Sequence, residues 1–327
     1  CDRTDAASAG PPHERSPRDE MYREDKRTRL MDSVTKRVFR TVAILGFMAL
    51  AGGAPARAAN IAVIMSDSLT STTRTLQGAR KVIERGNPGV ALHTFTIGQN
   101  ATDRTLIDSI LSLKPAAILT IGSSATALAK QSFPRTPTVF AGVMYPVLSG
   151  FVGSNQRPGG TITGASLDIP NEVQFRYFKK IIPNIKSIGV LYTANTASLI
   201  PSARAVARGM GIDLVAIEIK DSKELPVALD SLASVVQGIW SVADPVLFDP
   251  QATRYILLNT LRKSIPFMGF SRYVVESGAL FALDFDYKAV GIQAGQILNR
   301  VLGGENPGDI SVSAADVIWF HYNEKTA

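Results

Sequence analysis

The sequence predicts an α/β protein of two lobes, each built on a parallel sheet and joined to the other by a hinge. Three observations predict it. From Asn60 onward, short runs rich in Val and Ile alternate with segments of helical periodicity. Several of these runs lack polar alternation, as expected of strands covered on both faces. A turn-rich stretch, NQRPGG at Asn155–Gly160, then divides the alternation into two series. Strands alternating with helices give parallel sheets with right-handed crossovers, and one core seldom grows to roughly 270 residues.

In the first series, the strand run IAVIMS precedes the helical TTRTLQGARKVIERG, and VALHTFTIG precedes TDRTLIDSILSLKP. AAILTIG precedes SATALAKQSF, and TPTVFAGV precedes a short loop punctuated by glycines. After the break GTITGASLD runs extended. The second series then follows as helix EVQFRYFKKIIPN, strand SIGVLYTA, helix ASLIPSARAVARGMG, strand IDLVAIEIK, helix ELPVALDSLA, strand GIWSVAD, helix PQATRYILLNTLRKS and strand PFMGF. GALFALDFDY, the helical KAVGIQAGQILNRVLGG, DISVS and DVIWFHYN complete the chain. If the chain crosses back at Ala282–Phe285, the long helix packs on the first lobe. The expected partition is residues 59–165 with about 286–312 in lobe 1, and 166–285 with about 313–327 in lobe 2. Two or three crossing strands make a hinge, and a cleft between hinged lobes is where a ligand lies.

Residues 1–58 have a different character. Lys36, Arg37 and Arg40 form a cationic flank, TVAILGFMALAGG is an apolar stretch of 13 residues, and Ala56-Arg57-Ala58 follows. A positive segment, a short apolar core and an A-x-A site predict a secretory signal over residues 31–58, cut near Ala58, and hence a soluble exported protein. The apolar stretch is too short to span a bilayer core. Residues 1–30, rich in Arg, Asp, Glu, Pro and Ser, read as disordered or as an over-long gene start, Met31 making the better first residue. The sole cysteine, Cys1, precedes the apolar core, so the exported chain carries no disulfide and no cysteine-based metal site.

The formal charge is +7, but the portion from Ala59 holds 24 Lys/Arg against 20 Asp/Glu, scattered over helical segments. No basic run is interleaved with aromatics, which argues against a nucleic-acid partner. Catalysis also lacks a constellation. His93 and His321 sit in strand runs without an acidic partner at metal-ligand spacing, and no G-x-S-x-G, Walker loop or G-x-G-x-x-G occurs. Asp284 and Asp286 pair on one run, as acids at an edge or hinge do. Neither enzyme nor cofactor is expected.

The candidate site is a set of strand ends. In AAILTIGSSATALAK, Gly122, Ser123, Ser124, Ala125 and Thr126 join a strand to a helix start, where open amides and the helix dipole favour an anion. The same serines also serve as ordinary helix caps. Other strand ends reach the same cleft in open parallel sheets: Ser66, Asp67 and Ser68; Met144 and Tyr145; Tyr192 and Asn195; Asp244; Phe270 and Ser271. Each is an ordinary turn former when taken alone.

The order of motifs ILTIGSSATALAK, TPTVFAGVMYPV, RPGGTITGASLDIP, SIGVLYTANTAS, ADPVLFDP, IPFMGFS and ESGALFALDFDYKAVGIQAGQIL resembles the ABC-transporter substrate-binding proteins that include tryptophan- and phenylalanine-binding members. The resemblance runs from Asn60 to about residue 323. It implies the type I periplasmic-binding fold, with two Rossmann-like lobes closing on a small molecule that is passed to an ABC permease in the inner membrane. It also matches the GSSAT turn to the turn that receives ligand, Asp244 to a polar strand end, and Asp286 to the Asp before a Tyr at the last crossover. Where the amino-acid binders read V-T-D-P, this chain reads Val143-Met144-Tyr145-Pro146. The Asp that faces an ammonium is missing unless Asp67 or Asp244 replaces it, since a buried ammonium needs a partner. The expected ligand is therefore a small carboxylate-bearing or aromatic solute, amino-acid-like ones included. A sensory protein that passes occupancy to a membrane kinase or chemoreceptor is the alternative.

Overall fold

A computed structural model describes residues 59–98 and 103–327; the stretch 1–30 with Cys1, expected to be disordered or an over-long start, and the expected signal over 31–58 lie outside the described residues. The first series forms β1 (Asn60–Met65), α1 (Thr70–Gly86), β2 (Ala91–Thr96), α2 (Asp103–Leu113), β3 (Ala117–Ile121), α3 (Ser123–Ser132), β4 (Thr138–Val143) and β5 (Ile162–Ser166). All pairs in this sheet are parallel, in the order β2-β1-β3-β4-β5. Every residue of β3, and all but the first of β1, is buried. Near-continuous apolar runs therefore form here because helices cover both faces.

The second series forms α4 (Asn171–Ile181), β6 (Ser187–Tyr192), α5 (Ile200–Gly209), β7 (Asp213–Glu218), α6 (Leu225–Ala233), β8 (Ile239–Trp240), α7 (Pro250–Arg262), β9 (Phe267–Gly269), α8 (Arg272–Glu276) and β10 (Phe281–Phe285). After α9 (Tyr287–Leu302) the chain returns as β11 (Ile318–Tyr322), giving the sheet order β11-β10-β9-β8-β6-β7. The pairs are parallel except for β10 with β11, which is antiparallel. The second sheet thus departs from an all-parallel expectation at its edge, because β11 enters from the hinge rather than from a crossover helix.

The long helix α9 joins the first lobe. Val290, Ala294, Leu298 and Val301 pack with Ile61, Val63, Leu119 and Val139 in one buried cluster. Its crossing with α1 is close because glycines line it. A Cβ at Gly291 would stand 2.0 Å from the Thr75 carbonyl oxygen, and one at Gly78 would stand 2.1 Å from that of Lys288. The chain consequently passes between the sheets at Leu167–Pro170, at Phe285–Asp286, and between Ser313 and Ile318. These passages are tied together: the Ser166 N–H donates to the Ser313 carbonyl at 2.8 Å, and Asp286 N–H to that of Val317 at 3.1 Å. Gln293 of α9 donates to the Ser313 hydroxyl and the Ala314 carbonyl at 2.7 and 2.8 Å.

Candidate functional site

A cavity of about 530 Å³ opens where these passages meet the strand ends of both lobes. Met144 and Tyr145 reach it from the first lobe, the segment Ser166–Pro170 from the hinge, and Trp240, Met268 and Phe270 from the second. Each wall has a local cause. Phe270 is held flat by Phe248, ring centroids 3.6 Å apart. Trp240 donates its indole N–H to Gln174 at 2.7 Å, and Gln174 donates to the Ile169 carbonyl at 2.7 Å, so the ring is fixed to the hinge.

Tyr145 takes an unusual conformation. Its φ is 52°, in the left-handed region that costs a side-chain-bearing residue about 1 kcal/mol or more. Two hydrogen bonds offset that cost. Its N–H donates to the Asp168 carboxylate at 2.8 Å, and its hydroxyl accepts the Ala243 N–H at 3.2 Å. The second bond joins the lobes directly. Burial pushes the Tyr145 hydroxyl up to about 12, with Asp168 and Asp244 adding to the rise and the Ala243 N–H opposing it.

Asp168 is the residue that sequence reasoning missed. It lines the cavity, and burial pushes its carboxyl up to about 6 against hydrogen bonds from the Tyr145 N–H and Ser166. The signal was present in GASLDIP, an acid placed directly in an extended segment between lobes.

The anticipated residues divide. Met144, Tyr145 and Phe270 line the cavity. The GSSAT turn stands beside them, β3 pairing with β4, but outside the lining. There the Ala125 N–H donates to the Ser66 hydroxyl at 3.0 Å, and the Thr126 hydroxyl donates to the Gly122 carbonyl at 2.9 Å. Gly122, φ 91°, makes this possible, since a Cβ would lie 2.5 Å from the Ser66 oxygen. Ser123 and Ser124 are exposed. Asp67 accepts from the Leu69 N–H and the Thr72 hydroxyl at the start of α1, with Ser68 exposed in the same loop. Asp286 caps α9 through the Lys288 and Ala289 amides, and Ser271 caps α8.

Asp244 is fully buried. Its carboxylate accepts from Thr193 N–H and hydroxyl, from the Thr196 hydroxyl at 2.6 Å, and from the Val246 N–H. Burial alone would raise its pKa, but these bonds outweigh burial and hold it below the usual carboxylate range. Asn195 hydrogen-bonds to Thr193 within the same turn, and Tyr192 packs into the second-lobe core. Neither lines the cavity. Asp67 and Asp244 are thus occupied by neighbouring protein groups and lie outside the cavity lining, whose acids are Asp168 and Glu172.

Among the described residues no cluster of three His, Cys, Asp or Glu could hold a metal ion, and no helix is long and apolar enough to cross a membrane. His321 has a cross-strand neighbour after all, Asp284 at 4.0 Å, which sequence spacing concealed.

A family model described as ABC transporter substrate binding protein matches residues 60–327. A tyrosine-binding protein of Clostridioides difficile is 26% identical over 228 residues, which span 69% of this chain and 66% of that protein, just under two thirds of its length. Among solved structures, the ligand-free, open form of a substrate-binding protein with adhesive properties from Clostridium difficile superposes with a TM-score of 0.68 at 20% identity, covering 82% of this chain and 93% of that one. An ABC domain in complex with L-Trp from Streptococcus pneumonia gives 0.59 at 21% identity, over 83% and 94%. At such identities the structures establish the fold, that of type I periplasmic binding proteins.

Proposed function

The chain belongs to the family of ABC transporter substrate-binding proteins, and from that premise we propose that it captures a small aromatic solute in the periplasm and presents it to the permease of an importer. The observation that carries this reading is the cavity of about 530 Å³ walled by both lobes and by the segments that cross between them. That volume suits a molecule of the size of one aromatic amino acid. Burying about 150 Å² of ring against Trp240, Phe270 and the two methionines is worth about 4 kcal/mol at 25 cal/mol per Å². A ligand that touches both walls binds the closed arrangement better than the open one and shifts the population towards it. The names of the relatives, tyrosine-binding and L-Trp-bound, agree with an aromatic solute. The signal-like segment before Ala59 supports export.

Differential scanning fluorimetry against aromatic amino acids, aromatic acids, aromatic amines and sugars tests the reading. Stabilisation by one aromatic class is expected. Stabilisation confined to sugars would overturn the aromatic assignment.

A further inference from the structure

We propose that this cavity selects a protonated amine, anchored by the Asp168 carboxylate, and that a carboxylate on the ligand is dispensable. The inference deepens the solute-capture reading and rests on it. Among the described residues, the charged side chains in the lining are Asp168 and Glu172, and no Lys, Arg or His lines it. Glu172 already has its cation, Arg176, 2.7 Å away on the next turn of α4. Asp168 has none. Its partners among the described residues are neutral, the Tyr145 N–H and Ser166. A carboxylate taken out of water without a counter-ion is costly, and a ligand cation removes the cost. The raised titration of Asp168 agrees with uncompensated charge.

The remaining walls complete an amine site. Trp240, Phe270 and Phe285 line the cavity with aromatic rings, surroundings that suit an aromatic body and a cation beside it. Met144 and Met268 fill the space between with polarizable sulfur. An anion finds less. The starts of α4 and α5 lie near the cavity, but each offers only about half an elementary charge, and Glu172 sits in the first turn of α4. The residues therefore give a full negative charge for a cation and no full positive charge for an anion.

The test is isothermal titration calorimetry of the full chain near neutral pH with compounds sharing one ring: tyramine, tyrosine, para-hydroxyphenylpropionate and para-ethylphenol. Tyramine is expected to bind, and the propionate, which keeps the carboxylate but lacks the amine, to bind about 10- to 100-fold more weakly. Asp168→Asn is expected to remove a similar factor for tyramine, with its melting curve showing that the variant folds. Should the variant fail to fold, the comparison of tyramine with the propionate on the unaltered chain decides alone. Equal or tighter binding of the propionate, or unchanged tyramine binding in the Asn variant, overturns the amine assignment and leaves solute capture standing. No heat from any compound, together with no small molecule released on denaturing the purified protein, removes solute capture and the amine assignment together.

Discussion

Replacing Asp168 by Asn should stabilise the ligand-free protein while weakening its binding, and the two effects have one cause. Burial penalises the charge of the carboxyl and pushes it up to about 6 in the folded chain, from 3.8 for a free aspartate side chain. At neutral pH that rise corresponds to about 3 kcal/mol of destabilisation. Water entering the open cavity screens part of it, leaving a gain of about 1–2 kcal/mol for the Asn variant. Asn keeps an oxygen to accept the Tyr145 N–H, so no donor is orphaned. The sign follows from proton counting. Between 3.8 and about 6 the folded chain holds this proton more tightly than the unfolded one, so wild-type stability falls as pH rises through that window and stays reduced above it. The advantage of the Asn variant should thus be full above about pH 6 and vanish as pH drops past 3.8.

Urea unfolding followed by circular dichroism, at a series of pH values across that window, measures it. A variant no more stable than wild type at neutral pH would refute the reasoning, as would an advantage that does not shrink with acid. Ligand adds a second reading. A bound ammonium pulls Asp168 towards its charged form, so near pH 6 amine binding should release about half a proton, visible as a buffer-dependent heat.

Three further perturbations follow from the same structure. Tyr145→Phe deletes the hydroxyl that accepts the Ala243 N–H across the cleft; a loss of about 1 kcal/mol should weaken ligand binding about 5-fold, measured by calorimetry, with the fold intact. Asp244→Ala leaves two buried threonine hydroxyls and the Thr193 and Val246 amides without their acceptor; about 3 kcal/mol or more of stability should be lost at neutral pH in urea titration. For the unaltered chain, that Asp244 contribution is present above its unfolded pKa and is lost as pH falls through its depressed folded value. Gly291→Ala sets a methyl 2.0 Å from the Thr75 carbonyl oxygen, so α1 and α9 must separate; overpacking of this kind costs about 1–3 kcal/mol, read as a lower urea midpoint.

How far the sequence revealed this protein depends on the distance over which each feature is determined. The alternation of apolar runs and helical segments is local, and it yields the two series of elements almost run by run. GIWSVAD pairs only at Ile239–Trp240, and past that point Ser241 bonds the Met268 carbonyl through its hydroxyl and lines the cavity. DVIWFHYN reads as a strand, but its antiparallel partner is chosen by the returning chain. The GSSAT turn was legible as a helix start. What occupies its Ala125 amide is Ser66, 59 residues earlier, and no local pattern announces that. Asp168 was in plain view within GASLDIP, yet its meaning lies in what surrounds it: a cavity assembled from segments scattered over the chain, none of which brings a cation.

The same residue that marks the charge of the site also connects it to the lobes. Asp168 lies on a crossing segment and accepts the N–H of Tyr145, a first-lobe residue held at φ 52°. The hydroxyl of that tyrosine receives the Ala243 N–H of the second lobe. A ligand ammonium drawn to Asp168 would therefore bear on the group that orients Tyr145, and Tyr145 is bonded across the cleft. The two bonds together offset the cost of its left-handed backbone, about 1 kcal/mol or more. Hinge geometry and ligand charge thus meet at two side chains, so a variant altering either one should move affinity and lobe closure together.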